Sequence, residues 1–363
     1  MRVIIARIYV CSIATLMKMK KLGRTGLDVS LIGLGTMTWG EQNTPQEAFK
    51  QMDLARDYGI NFFDTAEMYP VPPKPDTQGA SEGILGDWLK ARGSRDDIVL
   101  ASKVTGRGDR NRGLEHIRDS ARLSAAHIQQ AVEESLQRLK TDYIDLYQVH
   151  WPERSTNFFG RLDYKHIEEP CIEIEETLEA LAELVKVGKV RHIGISNESA
   201  WGAFEYLRLA NENGFPRIAS IQNPYNLLNR SFDVGLSEIA IREDLPLLAY
   251  SPLAFGVLTG KYLGGAKPEG ARLTLYNRFS RYFNPQAEAA TQAYVDIAHK
   301  FSIDPAQMAL AWVNAQPHVA SNIIGATTIE QLKSNIESIE LHLNDAVLAE
   351  IDSVHTLYSN PAP

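Results

Sequence analysis

The sequence predicts a single α/β barrel in which eight parallel strands alternate with helices. Three observations support this fold. Short apolar segments alternate with amphipathic helical patterns from residue 31 onward, which is the pattern of a parallel sheet. The strand segments are almost continuously apolar, as expected for strands covered on both faces. Counting them gives about eight, the number that closes a barrel.

An open, doubly wound sheet is the competing architecture. No GxGxxG motif follows the first strand with an acidic residue about twenty positions later, which argues against it. No low-complexity linker divides the chain, so residues 17–363 are expected to form one barrel domain. The long irregular stretches all follow predicted strand ends, and a barrel places such stretches on its C-terminal face, where long loops usually serve function. They span residues 69–80, 105–123, 151–172 and 254–286.

The first sixteen residues, MRVIIARIYVCSIATL, are mostly apolar. A signal peptide is one interpretation, but Arg7 interrupts the apolar run and no small-residue cleavage site follows. The run is also too short to span a bilayer. We therefore interpret residues 1–16 as an N-terminal extension, with Met17 or Met19 as the natural start.

The first folded elements are a hairpin and a glycine-containing strand. Short alternating segments flank Thr25-Gly26 within residues 21–30, which predicts a β-hairpin. Residues 31–36 follow as a strand whose glycines allow close approach of a ligand or another backbone. Thr44-Pro45-Gln46-Glu47 is a capping box with proline at the first helical position, and this helix is expected to run to Gly59.

Strands and helices then alternate along the rest of the chain. The helix near residues 124–139 carries apolar residues at spacings of four, four and three, from Ile128 to Leu139. A further helix opens at Asp304-Pro305, and the last predicted one starts near Thr328. The remaining predicted strands are 60–64, 98–104, 143–150, 190–196, 218–223, 246–251 and 321–326, and the intervening helices lie near 81–91, 175–187, 199–212 and 233–242.

Composition excludes several classes of protein. The formal net charge is −8, so no large basic surface for nucleic acid is expected. Cys11 and Cys171 are far apart, and no CxxC or Cys/His cluster occurs, so neither a disulfide framework nor a metal site is indicated. No segment after residue 16 resembles a membrane helix. A reducing, cytoplasmic setting fits this cysteine usage best.

Ionisable residues stand where three consecutive strands end. The segment INFFDTAEMY delivers Asp64 at a strand tip and Tyr69 in the loop that follows; the next two strands end on Lys103 and His150. Each residue alone has an ordinary structural interpretation, as a turn acid, a surface lysine, a packed tyrosine or a satisfied histidine. In a barrel, however, these tips converge on one site.

Together these groups suit the reduction of a carbonyl. Addition of a hydride to C=O requires a proton donor for the developing alkoxide. Tyrosine, with an ordinary pKa near ~10, needs a nearby cation to serve at neutral pH. Lys103 would supply that cation, Asp64 would hold it, and His150 would orient the carbonyl oxygen. A cofactor must supply the hydride, because no side chain does.

The residues also resemble a known family, the aldo-keto reductases, and within it the bacterial Tas-type branch related to potassium-channel β-subunits. The resemblance extends from about Met17 to Pro363. It implies a (β/α)8 barrel and a catalytic tetrad at Asp64, Tyr69, Lys103 and His150. The motifs that carry it are GLGTMTWG (33–40), INFFDTAEMY (60–69), LASKV (100–104), DLYQVHWP (145–152), IGISN (193–197), IQNPYNLLNR (221–230), AYSPLAFGVLTGKY (249–262) and IIGATTIEQLKSN (323–335).

The same resemblance implies the binding site of NADP(H). It implies positions that bind the carboxamide, stack on the nicotinamide ring, wrap the pyrophosphate and contact the adenosine phosphate. The free N–H groups of the helix that starts at Thr327-Thr328 also suit a phosphate. The implied residues are Thr36, Met37, Ser196, Asn197, Gln222, Tyr250, Ser251, Pro252, Leu253, Ala254, Phe255, Gly256, Val257, Leu258, Thr259, Gly260, Lys261, Gly325, Ala326, Gln331 and Asn335.

One departure from the family pattern affects cofactor choice. Many members carry Lys-Ser where this chain has Gly325-Ala326, and Arg where it has Gln331. The cation for a 2′-phosphate must then come from elsewhere, and Lys261 and Arg278 are the candidates. NADPH over NADH is therefore a preference that the family resemblance implies, and it is not deduced from these residues.

The substrate is expected to be an aldehyde or ketone with an apolar or aromatic body, since such pockets are mostly apolar. Trp39, Trp151, Phe158 and Phe159 are the aromatic candidates on loops of the same face. The alternative function is a cofactor-binding regulatory or interaction subunit in which turnover is incidental. The sequence leaves the physiological substrate and the oligomeric state open.

Overall fold

A computed structural model describes residues 17–93, 95–108, 113–276 and 280–363. The predicted extension at residues 1–16 and the phosphate-binding candidate Arg278 lie outside the described residues. The strands are β1 Met19–Lys21, β2 Asp28–Ser30, β3 Ile32–Gly35, β4 Phe62–Asp64, β5 Val99–Val104, β6 Ile144–Val149, β7 Val190–Ser196, β8 Ile218–Pro224, β9 Leu247–Tyr250 and β10 Val319–Ile324.

Helices follow the barrel strands and form the outer layer. They are α1 Pro45–Asp57, α2 Ala80–Arg92, α3 Ala125–Leu139, α4 Ile174–Lys186, α5 Ala200–Asn213, α6 Leu236–Arg242, α7 Arg272–Leu275, α8 Pro285–Lys300, α9 Pro305–Asn314, α10 Ile329–Glu337 and α11 Asp345–Leu357. Short 3₁₀ helices lie at Ser231–Val234, Ala254–Thr259, Leu263–Gly265 and Ser338–Glu340.

The eight parallel strands β3 to β10 close into a barrel in chain order, with β10 beside β3. The strands β1 and β2 form the predicted antiparallel hairpin. Leu22 and Val29 of this hairpin segment pack with the interior residues of the barrel, so the hairpin closes the end where the strands begin. The predicted fold, a (β/α)8 barrel with an N-terminal hairpin, is confirmed.

Residue alternation explains how the barrel interior changes from apolar to polar. Along a strand, every second side chain faces inward. The inner apolar layer contains Phe62, Ala101 and Leu146. Two residues further along the same strands come Asp64, Lys103 and Gln148, all buried. A ring of polar groups therefore lies directly above the apolar core, at the C-terminal ends of the strands.

The outer layer is fixed by helix caps and by close helix contacts. The Thr44 hydroxyl accepts from the Glu47 N–H, and the Glu47 carboxylate accepts from the Thr44 N–H, which is the predicted capping box. At Gly86 of α2, a Cβ would lie 2.3 Å from the carbonyl oxygen of Arg138 on α3. Glycine therefore permits the two helices to pack closely here.

Two strands differ from the prediction by two residues at a boundary, and the other predicted strand boundaries differ by one residue or none. β4 begins at Phe62. The side chain of the preceding Asn61 is hydrogen-bonded to β2 instead: it accepts from the N–H of Ser30 and donates to the carbonyl oxygen of Asp28. β10 covers Val319–Ile324 rather than 321–326, because its last pairing is with Leu34 of β3 and the chain leaves the sheet at Gly325. Within the described residues, no helix is long and apolar enough to cross a membrane.

Candidate active site

A cavity of about 1430 Å³ opens above the polar ring, at the C-terminal ends of the strands. Its walls come from strand tips and from the loops that follow β3, β4, β5, β6, β9 and β10. Asp64, Tyr69 and His150 line it. Lys103 lies beneath this surface with none of its side chain exposed. The three strand tips singled out from the sequence thus meet at one place.

A buried ion pair forms the floor of the cavity. The Lys103 amine donates to Asp64 Oδ2 at 2.6 Å and to the carbonyl oxygen of Thr65 at 2.7 Å. The other carboxylate oxygen of Asp64 accepts from Gln222 at 2.8 Å and from Gln148 at 3.3 Å. Buried charges require such partners. Asp64 therefore holds the lysine while two amides hold Asp64.

Tyr69 lies beside this ion pair and beside His150. The Lys103 amine is 5.0 Å from the centroid of the Tyr69 ring. The rings of Tyr69 and His150 meet edge to face, with centroids 5.7 Å apart. The loop of Tyr69 is held locally, because its carbonyl oxygen accepts from the N–H of Gly79 at 2.9 Å. A phenol, an imidazole and a cation thus surround the same end of the cavity.

Burial dominates the electrostatics of the site. Burial and the nearby Asp64 carboxylate raise the pKa of Tyr69, with Arg272 opposing them. Burial lowers the pKa of Lys103 against the pull of Asp64. Burial, together with Lys103, holds the pKa of His150 well below its usual range. The imidazole is accordingly neutral at neutral pH.

The sequence predicts a lysine that stabilises the tyrosinate, and the structure shows how the Lys103 amine lies relative to the Tyr69 ring. The amine donates to Asp64 and Thr65, and it faces the Tyr69 ring rather than forming a described hydrogen bond to its hydroxyl. Burial and the Asp64 carboxylate outweigh the opposing charge of Arg272, and the pKa of Tyr69 is raised rather than lowered. The phenol is thus protonated in this state.

A profile of the aldo/keto reductase family matches residues 31–356. The chain belongs to the aldo/keto reductase family. It is 54% identical to Protein tas of Escherichia coli (strain K12), over 96% of this chain and 100% of that protein. It is also 34% identical to the uncharacterized oxidoreductase YrpG of Bacillus subtilis (strain 168), over 92% and 94% of the two chains. A probable voltage-gated potassium channel subunit beta of Arabidopsis thaliana is 32% identical, over 93% and 96%. The chain is therefore that of an oxidoreductase.

Most residues that the family resemblance implied for the cofactor lie in the cavity wall of this aldo/keto reductase. Four do not line it: Ala254, Val257, Leu258 and Gly260 lie behind the wall, the first three as buried apolar side chains. Thr327 and Thr328, the predicted phosphate site at a helix start, also line it. The implied residues that line it are Thr36, Met37, Ser196, Asn197, Gln222, Tyr250, Ser251, Pro252, Leu253, Phe255, Gly256, Thr259, Lys261, Gly325, Ala326, Gln331 and Asn335.

A hydrogen-bonded chain joins the polar residues at the ends of β7, β8 and β9. Ser196 donates to the carbonyl oxygen of Gln222 at 2.7 Å, and Asn197 donates to that of His150 at 2.8 Å. The Tyr250 hydroxyl donates to Asn197 Oδ1 at 2.6 Å. Asn197 has a φ of 53°, a left-handed conformation that asparagine tolerates. These contacts fix one wall of the cavity.

Sequence reasoning missed a cation in this wall. Arg272, at the start of α7, lines the cavity together with Lys261. Burial is the main cause that lowers the pKa of Lys261, and the charge of Arg272 is the second. Within the described residues neither side chain forms an ion pair, and each lies over a ring, Arg272 over Phe255 and Lys261 over Tyr262. No periodic or motif signal in the long loop identified Arg272.

The predicted aromatic residues divide into two groups. Trp151 and Phe159 line the cavity, together with the unpredicted Leu114. Trp39 is fully buried, and its indole N–H donates to Gln51 at 2.9 Å, so it packs beneath the loop instead. Phe158 lines a neighbouring pocket of about 150 Å³. Within the described part of the chain, no cluster of His, Cys, Asp and Glu could hold a metal ion.

Proposed function

We propose that this protein reduces aldehydes or ketones to alcohols with NADPH, and that Tyr69 donates the proton. The observation that carries the proposal is the arrangement of Tyr69, His150 and the Lys103–Asp64 pair at one end of a cavity whose other walls carry cations. NADPH supplies the hydride when it is bound. The chain's own residues supply the proton and the orientation.

Each of the four residues has a distinct task in this proposal. Tyr69 is protonated, so it gives its proton to the alkoxide oxygen as that oxygen gains charge. His150 is neutral and donates its single N–H to the same oxygen, which orients the carbonyl. Lys103 places a positive charge under the phenol ring and thereby limits the cost of the tyrosinate left behind. Asp64 keeps that lysine in place.

The cations in the cavity wall support a phosphate-bearing cofactor. Lys261 and Arg272 are close to each other and have no acidic partner among the described residues. Two uncompensated, partly desolvated cations suit the 2′-phosphate or pyrophosphate of NADPH. The free N–H groups at the start of α10, where Thr328 is the cap, add a second phosphate site.

The substrate end is lined by Trp151, Phe159, Leu114 and Met68. These side chains favour a carbonyl compound with an apolar or aromatic body. The test is NADPH oxidation at saturating cofactor with a panel of aliphatic and aromatic aldehydes and ketones. Steady turnover of aromatic aldehydes supports the proposal. Tight NADPH binding without turnover of any carbonyl in the panel would contradict it.

The second candidate function is that of a cofactor-binding regulatory or interaction subunit. The similarity to a plant protein described as a probable potassium channel subunit beta favours it. In that case NADPH would bind, while carbonyl turnover would be negligible across the panel. The same assay therefore distinguishes the two functions.

A further inference from the structure

A second buried ion pair lies beside the site and has no part in the chemistry proposed above. Glu67 follows Asp64 by three residues and precedes Tyr69 by two. Its two carboxylate oxygens accept from the two terminal nitrogens of Arg118, at 2.6 and 2.7 Å. The side chains are 0% and 3% exposed, respectively. This is a bidentate pair taken out of water.

Glu67 also contacts the strand that carries the catalytic lysine. Its carboxylate accepts from the N–H of Thr105 at 2.5 Å, and its own N–H donates to the carbonyl oxygen of Lys103 at 3.4 Å. The Arg118 contacts outweigh burial and hold the pKa of Glu67 below its usual range, so the carboxylate stays charged. The loop of Tyr69 is thereby tied to the end of β5 on one side and to Arg118 on the other.

Arg118 stands in a stretch of unfavourable backbone. Arg118, Asp119 and Ser120 have φ values of 50°, 50° and 80°. Left-handed conformations are unfavourable for non-glycine residues and persist where surrounding contacts fix them. Three in succession indicate that the position of the guanidinium is maintained against local strain. Such strain concentrates at functional sites.

The segment 113–123 packs directly on the loop that carries Tyr69. Leu114 and Ile117 join Ala66 and Met68 in a small apolar cluster, and Tyr69 packs against its edge. Leu114 also reaches the cavity wall. A small apolar cluster of this kind excludes water, but it does little to fix the distance and orientation of the Tyr69 loop relative to the segment 113–123. The bidentate pair supplies that specification, since a guanidinium and a carboxylate meet in one plane.

We propose that Arg118 is a positioning residue, which acts through Glu67 to set the position of the Tyr69 phenol relative to Lys103 and the substrate oxygen. The proposal rests on the proposed function of Tyr69 as proton donor. Misplacement of a reacting group by about 1 Å can cost on the order of a hundredfold in rate. Loss of the pair should therefore reduce turnover without changing the proposed phosphate-binding residues Lys261 and Arg272, neither of which contacts Glu67 or Arg118 in a described hydrogen bond or ion pair.

The experiment compares Arg118→Met, Arg118→Lys and the double variant Glu67→Gln/Arg118→Met with the wild type. The matched control is Arg138→Met, which breaks another partly buried pair, with Glu82, between α2 and α3. All rates are divided by the concentration of NADPH-binding sites, so unfolded protein does not count. We expect Arg118→Met to lower kcat about 10–100-fold while the Kd for NADPH stays within about twofold. We expect Arg138→Met to lower the melting temperature but not kcat.

The double variant separates positioning from stability. It removes both charges, so it should regain thermal stability relative to Arg118→Met while kcat stays low. Arg118→Lys keeps the positive charge but loses the planar guanidinium that binds both carboxylate oxygens, so its kcat should also be low. Recovery of kcat together with stability in the double variant, or an equal loss of kcat in Arg138→Met, would overturn the proposal.

A readout independent of turnover keeps the proposal separate from the proposed function. Amide hydrogen exchange over residues 65–72 should be at least about tenfold faster in Arg118→Met, and unchanged there in Arg138→Met. Unchanged exchange in Arg118→Met would overturn the positioning role even if the wild type reduces carbonyls. Faster exchange in Arg118→Met, combined with a wild type that turns over no carbonyl, would contradict only the proposed function.

Discussion

The strongest structural prediction concerns the ion pair at the floor of the cavity. Two unit charges 2.6 Å apart attract by about 6 kcal/mol at an effective dielectric constant near 20. The cost of dehydrating both groups offsets much of this attraction. Removing one partner leaves a buried charge, and Lys103→Met should therefore lower the free energy of unfolding by about 3–5 kcal/mol. Asp64→Asn should cost less, because burial already lowers the pKa of Lys103 and the amine can lose its proton.

The double variant Asp64→Asn/Lys103→Met tests the coupling between these two groups. Its loss of stability should be smaller than the sum of the single losses by about 2–3 kcal/mol, since neither charge remains uncompensated. The assay is urea unfolding followed by tryptophan fluorescence and circular dichroism, with comparable m-values required for all four proteins. Additive losses, within about 0.5 kcal/mol, would refute the argument that each charge is compensated by the other.

Three further predictions concern other parts of the chain. Lys261→Ala should weaken NADPH binding by about 1.5–3 kcal/mol more than NADH binding, as measured by fluorescence titration. Equal losses of affinity for the two cofactors would contradict the phosphate-binding role of Lys261. The control variant is Lys20→Ala, which changes an exposed lysine. Gly86→Ala should lower the unfolding free energy by about 1–3 kcal/mol through overpacking, whereas Gly83→Ala in the same helix, with open space around it, should raise it by about 0.5–1 kcal/mol. Burial lowers the pKa of His318 to about 4, below its value in the unfolded chain. Between about pH 6.5 and pH 4 the unfolded chain therefore binds more protons than the folded chain, and the free energy of unfolding falls as the pH drops through this range. His318→Phe should reduce this pH dependence in urea unfolding at pH 5 and 7, and an unchanged dependence would exclude His318 as its source.

The sequence could predict the barrel and the meeting of the strand tips. Asp64, Lys103 and His150 lie at the ends of consecutive strands. In a closed parallel barrel these ends are adjacent on the C-terminal face, so the three side chains must lie close together. The alternation of inward side chains even sets their depth, since Asp64 lies two residues above the buried Phe62. These inferences need only local patterns and the geometry of parallel strands.

Contacts between distant loops could not be predicted in the same way. Arg272 and Arg118 lie in long stretches without periodicity, and their partners depend on how those stretches pack. The sequence places Trp39 among the aromatic residues on loops of the cavity face, yet in the structure its indole is buried and donates a hydrogen bond to Gln51 of α1. The raised pKa of Tyr69 depends on burial by neighbouring segments, which no local pattern encodes.

The most direct test of the central claim is a single-turnover measurement on Tyr69→Phe with NADPH already bound. The variant removes one hydroxyl and keeps the ring beside Lys103 and His150. The account predicts unchanged NADPH affinity and a rate of NADPH oxidation by an aromatic aldehyde that falls about 10²–10⁴-fold. An unchanged rate at full cofactor occupancy would contradict it, because the proton would then come from another group.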